Sequence, residues 1–297
     1  LKNKTVIIIA GPTAVGKTRV AIDLAKHFQT EIISADSRQC YRELNIGVAR
    51  PSESELQEVP HHFIAAHSIT ENINAGFFEQ YALEKTKEIF REKDVVIMCG
   101  GTGLYIKAFC EGMDEIPAAS AETRNRIIEQ YKQHGLAWLQ ETVKEKDPVF
   151  FQTGENQNPQ RLMRALEVME ETGQSILAFR TGKKPERDFS ILRIGLELPK
   201  EELQRNIELR AQAMYAAGLV EEVKNLQPFR AYNALKTVGY NEVFDFLDGH
   251  TTRAGSMESV KTHTRQYAKR QLTWFKKDTA MQWFSPSAAA ILASIKV

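Results

Sequence analysis

The sequence predicts an α/β protein with a parallel-sheet core, an inserted all-helical subdomain and a helical C-terminal region. Three observations predict it. Short apolar runs at Val6 to Ala10, Glu31 to Ala35 and Asp94 to Cys99 read as buried strands, each leading into a polar or glycine-rich loop. Segments of helical spacing separate them, and strands alternating with helices argue a parallel sheet with functional loops at the carboxyl ends of the strands. Between Ile116-Pro117 and Arg187 the strand-like runs stop and only helical patterns remain.

In chain order, the first strand opens into "GPTAVGKT", residues 11–18, which fits G-x-x-x-x-G-K-[ST]. Gly11 and Gly16 allow a tight turn whose inward N–H groups form an anion site at the start of the next helix. Pro12, Thr13, Ala14 and Val15 complete the turn, Lys17 adds a mobile positive charge, and Thr18 offers a hydroxyl to a magnesium ion bridging phosphate oxygens. Val20, Ala21, Leu24, Ala25 and Phe28 give the following segment its apolar face. The second strand leads into "DSRQCY", Ala75 to Arg91 reads as a helix, and the strand before Cys99 leads into "GGTGLY". Helices are expected over Ala121 to His134, Ala137 to Glu145 and Gln160 to Thr172, the last stopped by Gly173. Phe189 to Leu198 alternates as a strand, and helices follow from Lys200, broken near Pro228 and at Asp248-Gly249. The expected division is 1–116, 117–188 and 189–297.

Composition narrows the function classes. Of 297 residues 42% are hydrophobic, and 39 Lys and Arg against 38 Asp and Glu leave a net charge of +1, so any polyanion site must be a local patch. Cys40, Cys99 and Cys110 form no C-x-x-C pair, which argues against a disulfide framework or zinc site and fits a reducing cytoplasm. The apolar run after Leu1 to Lys4 is too short for a signal-peptide core, and no segment approaches a membrane span.

Chemistry around the phosphate loop departs from that of an ordinary nucleotide hydrolase. The strand ending at Cys99 continues as Gly100-Gly101-Thr102-Gly103 rather than in a magnesium-holding Asp. The acid at a strand end is Asp36, placed to take a proton from a nucleophile, to cap a turn or to order magnesium. Arg210, with Arg205 and Asn206 on the same amphipathic helix, is a candidate to stabilise charge on a phosphate leaving group. His61 and His62 lack metal-ligand spacing and read as packing or loop residues. Residues 259–277, "SVKTHTRQYAKRQLTWFKK", contain no acid. As a helix they put Ala268, Leu272 and Phe275 on one side and Lys261, Arg265 and Lys269 on another, with Tyr267 and Trp274 interleaved, which suits RNA.

Taken together, "GPTAVGKT", "ADSRQCY", "IGVARP", "PHHF", "GGTGLYIKA", "NPQRLMRALEV", "RAQAMYAAGLVEE", "KTVGYNE" and "TRQYAKRQLTWF" resemble, in order, segments of the bacterial-type tRNA dimethylallyltransferases, or tRNA isopentenyltransferases. The resemblance runs from residue 11 to residue 275, and no Cys-Cys-His-His set of the eukaryotic kind follows residue 110. It implies a P-loop kinase-like core with a helical insert that clamps tRNA. It further implies transfer of a dimethylallyl group from dimethylallyl diphosphate to N6 of the adenine 3′ of the anticodon, in tRNAs reading codons that begin with U. Asp36 is then the general base; Lys17, Thr18 with magnesium and Arg210 attend the diphosphate; and Thr102 lies where the substrates meet. The RNA contacts so implied are Asp36, Ser37, Arg38, Gln39, Thr102, Arg124, Gln160, Arg161, Leu162, Met163, Arg164, Lys236, Gly239, Tyr240, Arg265, Lys269 and Arg270, with an ion pair to Glu167 or Glu171 an alternative for Arg164. The partner is the tRNA anticodon stem-loop, and a cytoplasmic monomer is expected. Two other readings fit part of the pattern: a P-loop nucleotide or nucleoside kinase, and a non-catalytic RNA-binding P-loop protein.

Overall fold

A computed structural model of the chain describes residues 4–182 and 184–295; of the N-terminal segment, residues 1–3 lie outside that description. The chain forms two compact units, one of residues 1–112 with 186–297 and one of residues 113–185.

The first unit is built on β1 (Thr5–Ala10), α1 (Lys17–His27), β2 (Ile32–Ser34), α2 (Glu53–Glu58), β3 (His61–His62), α3 (Ala75–Ile89), β4 (Val95–Gly100) and α4 (Gly103–Glu111). The second unit holds α5 (Ala121–Lys146), α6 (Pro148–Phe151) and α7 (Pro159–Thr172). The chain then returns through β5 (Ser190–Leu196), α8 (Lys200–Ala216), α9 (Leu219–Asn225), α10 (Tyr240–Leu247), α11 (Arg253–Phe275), β6 (Gln282–Phe284) and α12 (Ala288–Ser294). The sheet order is β3-β2-β4-β1-β5-β6, with every pairing parallel.

Central position explains the continuous apolar run of β1. Val6, Ile8 and Ala10 face one core, with Phe78 of α3, Phe109 of α4 and Tyr215 of α8. Ile7 and Ile9 face the other, with Leu24 of α1 and Ile207 of α8, as the two-residue period of a strand covered on both sides requires. Because β4 and β5 flank β1, the loops leaving β1, β2 and β4 gather at one end of the sheet.

Two local expectations are corrected. His61 and His62 form the edge strand β3 instead of a loop; they pair with Ile32 and Ile33 through their backbones, which edge pairing permits whatever the side chain. His62 Nε2 also meets the Glu31 carboxylate. The strand β6 gave no sequence signal, because Gln282–Phe284 is three residues long and, among the described residues, pairs with β5 alone.

In the second unit Leu139, Val143, Phe150, Leu162 and Leu166 make a separate core. The two helices expected over 121–134 and 137–145 run on as α5, with a break at Gly135, whose φ of 73° and ψ of −167° are open only to glycine. Asn158 caps α7, accepting from the N–H groups of Gln160 and Arg161, and Gly173 ends it in the left-handed region.

Candidate active site

Residues 11–16 turn from β1 into α1 and put successive N–H groups at a helix start, where the dipole adds to them. Lys17, at the first position of α1, donates from Nζ to the Pro12 carbonyl at 2.7 Å. Burial lowers its pKa to about 8, with the nearby Arg210 charge pushing the same way and Asp36 opposing. Helix α8 braces the loop from the side: Asn206 Nδ2 donates to the Ala14 carbonyl at 3.2 Å and Arg210 Nη1 to Thr13 Oγ1 at 3.0 Å. Burial also lowers the Arg210 pKa; so strong a base still keeps its charge at neutral pH. Arg205, on the same helix, is exposed.

Asp36 follows β2 and stands across a cavity of about 840 Å³ whose walls include Thr13, Lys17, Thr18 and Arg210. One carboxylate oxygen, Oδ1, accepts from the N–H groups of Arg38 at 2.9 Å and Gln39 at 3.2 Å, so the turn-capping role is real. Those bonds use Oδ1 alone, and Asp36 as a whole lines the cavity. Thr102 caps the start of α4 by position, and its Oγ1 accepts from the Ser37 N–H at 3.0 Å. Its neighbours Ser37 and Gly101 form the cavity wall rather than Thr102 itself.

The mouth is shaped by residues that pattern reasoning passed over. Glu222, in the first turn of α9, accepts from the N–H groups of Ile46 at 2.7 Å and Gly47 at 3.0 Å and from the Tyr240 hydroxyl at 2.6 Å. Burial and the adjacent carboxylate push the Tyr240 phenol pKa upward. Gln39 Nε2 donates to the Val48 and Ala49 carbonyls at 3.2 and 3.0 Å, closing the same loop from the other side. Gln271 of α11 joins the phosphate loop to the loop after β4. Its sequence signal is a polar residue among Ala268, Leu272 and Phe275, on the side that packs inward.

The expected RNA contacts divide. Arg38, Gln39, Lys236, Gly239 and Arg270 line the cavity with Asp36 and Ser37. Tyr240 is fully buried, and Leu162 and Met163 are core residues of the second unit, so these three side chains pack inward. Arg124 and Arg164 both pair with Glu167, at 3.3 and 3.1 Å, and Arg164 also donates to the Pro117 carbonyl at 2.8 Å; Arg161 pairs with Glu155 at 2.6 Å, and Gln160 is exposed. On α11 Lys261 departs from the expected solvent face. It is 8% exposed, its stem packed and its Nζ 2.6 Å from Glu258, while Arg265 reaches Glu208 at 3.5 Å and Lys269 is exposed.

A family model described as IPP transferase matches residues 39–278. The chain belongs to that family. Among relatives of this IPP transferase, a tRNA dimethylallyltransferase from Cytophaga hutchinsonii is 47% identical, the match covering 96% of this chain and 93% of that protein. One from Christiangramia forsetii is 45% identical over 94% and 92%. Of solved structures, the full-length tRNA isopentenylpyrophosphate transferase of Bacillus halodurans aligns with a TM-score of 0.69 at 32% identity, over 96% of this chain and 90% of that one. That of Staphylococcus epidermidis aligns at 0.70 and 30%, over 98% and 97%. The match over residues 39–278 lies beyond the phosphate loop, so family membership rests on the body of the fold as much as on that motif.

Proposed function

We propose that this IPP transferase moves a dimethylallyl group from dimethylallyl diphosphate to N6 of the adenine that lies 3′ of the anticodon, in tRNAs reading codons that begin with U. The products are N6-dimethylallyladenosine and diphosphate. One observation carries the chemistry: the Asp36 carboxylate and the phosphate loop share one cavity, whose volume of about 840 Å³ is within the range for ligand pockets. The tRNA dimethylallyltransferase relatives at 47% and 45% identity support the same reading.

The exocyclic amine attacks the allylic carbon while the bond from that carbon to the diphosphate oxygen breaks, and Asp36 takes the proton the amine sheds. Because the amine is a weak nucleophile, alignment and leaving-group stabilisation supply much of the rate. The loop N–H groups, Lys17 and Arg210 take the second task in this reading, supported by their shared cavity and by the Arg210 bond to Thr13. An adenine of the anticodon loop leaves its stack to enter the cavity, at lower cost than from a duplex. In this reading Arg38, Gln39, Lys236 and Arg270 at the cavity walls, Arg265 and Lys269 on α11 and, in the second unit, Arg161 and Arg164 are offered to the anticodon stem-loop. The protein acts as a cytoplasmic monomer in this reading; among the described residues no helix is long and apolar enough to cross a membrane.

Magnesium fits the donors present. Among the described residues no three His, Cys, Asp or Glu groups could hold a metal together, so an ion here would rely on phosphate and water oxygens with the Thr18 hydroxyl, the ligation magnesium favours. When bound it would neutralise part of the diphosphate charge.

Incubation with labelled dimethylallyl diphosphate and unmodified tRNA, followed by mass spectrometry of the nucleosides, tests the proposal. A dimethylallyl adduct on the adenine after the anticodon is expected. Phosphorylation of nucleosides from ATP without any tRNA adduct would overturn it in favour of a kinase. The lack of an acid after β4 already speaks against that rival.

A further inference from the structure

Gln271 sits on α11 and is 6% exposed, yet it is amide-bearing and uses both ends of that amide. Its Oε1 accepts from the Thr13 N–H at 2.8 Å, and its Nε2 donates to the Gly101 carbonyl at 2.9 Å. Thr13 belongs to the phosphate loop and its hydroxyl holds Arg210; Gly101 immediately precedes Thr102, whose hydroxyl holds the turn that carries Asp36. One planar group therefore spans the two halves of the site, the half that grips diphosphate and the half that carries the base. The fit is close: a Cβ on Gly101 would fall 2.3 Å from Nε2, so a side chain there would displace the amide. Tyr267 and Arg270, on the same helix, line the cavity beside it.

We propose that Gln271 is a positioning residue, setting the distance between the phosphate loop and the Asp36 turn so that the allylic carbon lies in line with the incoming amine. The assignment rests on the function proposed above. A glutamine suits the task because one end must accept and the other donate. A carboxylate only accepts and would oppose the Gly101 carbonyl, and an apolar side chain would leave a buried N–H and a buried carbonyl unpaired. A protonated carboxyl group, by contrast, accepts at one oxygen and donates from the other, so it reproduces the pair of bonds.

The test compares Gln271→Glu and Gln271→Met with the wild type. Turnover is expressed per tRNA-binding site, counted by stoichiometric titration with tRNA so that misfolded protein drops out. Both variants are expected to turn over about 100-fold more slowly at about pH 8, with KM for dimethylallyl diphosphate changed far less, because misalignment acts on the transition state. On acidification to about pH 6 the ratio of Gln271→Glu to wild type should rise about tenfold as the buried carboxyl group takes a proton, while the ratio for Gln271→Met stays flat. Lys17, Asp36, Arg210 and Arg270 line the same cavity in all three proteins, and the Gln271→Met ratio serves as the control for their contribution to the pH profile. Turnover of both variants within about threefold of wild type, or a Gln271→Glu ratio that ignores pH, would overturn the assignment. Should the wild type transfer no prenyl group, the proposed function fails instead, and the two failures are separate readings of the same plate.

Discussion

At the residue scale the site depends on which atoms of a side chain are already committed. Asp36 spends Oδ1 on the turn, so in the proposed role of general base Asp36→Asn should retain the cap, through the amide oxygen, while losing the base. Turnover should fall by about 100-fold to 10,000-fold with tRNA affinity unchanged, which single-turnover assays and filter binding would measure together. Undiminished turnover would remove Asp36 from its role. In the proposed role Lys17 makes the site pH-dependent from the alkaline side. Burial disfavours its charged form, so the ammonium is present below about pH 8 and neutral above it, and only the charged form attracts diphosphate. The value of kcat/KM for dimethylallyl diphosphate should therefore decline as pH rises through about 8, and a flat profile across that region would contradict the assignment. The phosphate loop is legible in the sequence because eight adjacent residues encode it. The roles of Gln271 and Glu222 are not, since their partners lie 258 and 176 positions away; the spacing of Ala268, Leu272 and Phe275 turns Gln271 inward but does not say which backbones it bridges.

At the element scale, periodicity finds most helices and central strands because each buries a continuous stripe or a whole strand. It fails where pairing or capping replaces burial, as in β3 and β6 at the sheet edges and in α6, which is four residues long. Helix α11 shows a different failure. Its spacing predicts one cationic face, but Lys261 turns its stem inward and pairs with Glu258, so charge in sequence overstates charge in solvent. Helix α5 shows the reverse, with Gly135 marking the break between two predicted helices that the chain nonetheless stacks end to end. A Cβ at Gly135 would meet no atom within 4 Å, so the cost of Gly135→Ala is conformational alone. About 1–3 kcal/mol of destabilisation is expected, read by denaturant unfolding, with hydrogen exchange rising first in α5. Unchanged stability would show that α5 relaxes into an unbroken helix.

At the scale of the whole molecule a net charge of +1 conceals a strong local field. The cavity walls carry Lys17, Arg19, Arg38, Arg50, Arg210, Lys236 and Arg270 against the carboxylates of Asp36 and Glu55. Affinity for an anticodon stem-loop should accordingly fall with salt. Replacing Lys236 and Arg270 together by alanine should flatten the plot of log K against log salt by about 0.7 for each single-stranded phosphate no longer neutralised, measured by fluorescence anisotropy. An unchanged slope would place the RNA elsewhere. What the sequence alone determined was the strand-loop-helix with its phosphate-loop motif, the parallel α/β core, the helical stretch after residue 116 and, through nine ordered motifs, the family. These are local or periodic properties, fixed by residues near one another in the chain. Only the tertiary structure decided that Asp36 spends one oxygen on its turn, that Leu162, Met163 and Tyr240 are core, and that Gln271 ties the site together. Those depend on hydrogen bonds and burial between distant segments, which exist only once the sheet brings the ends of β1, β2 and β4 together.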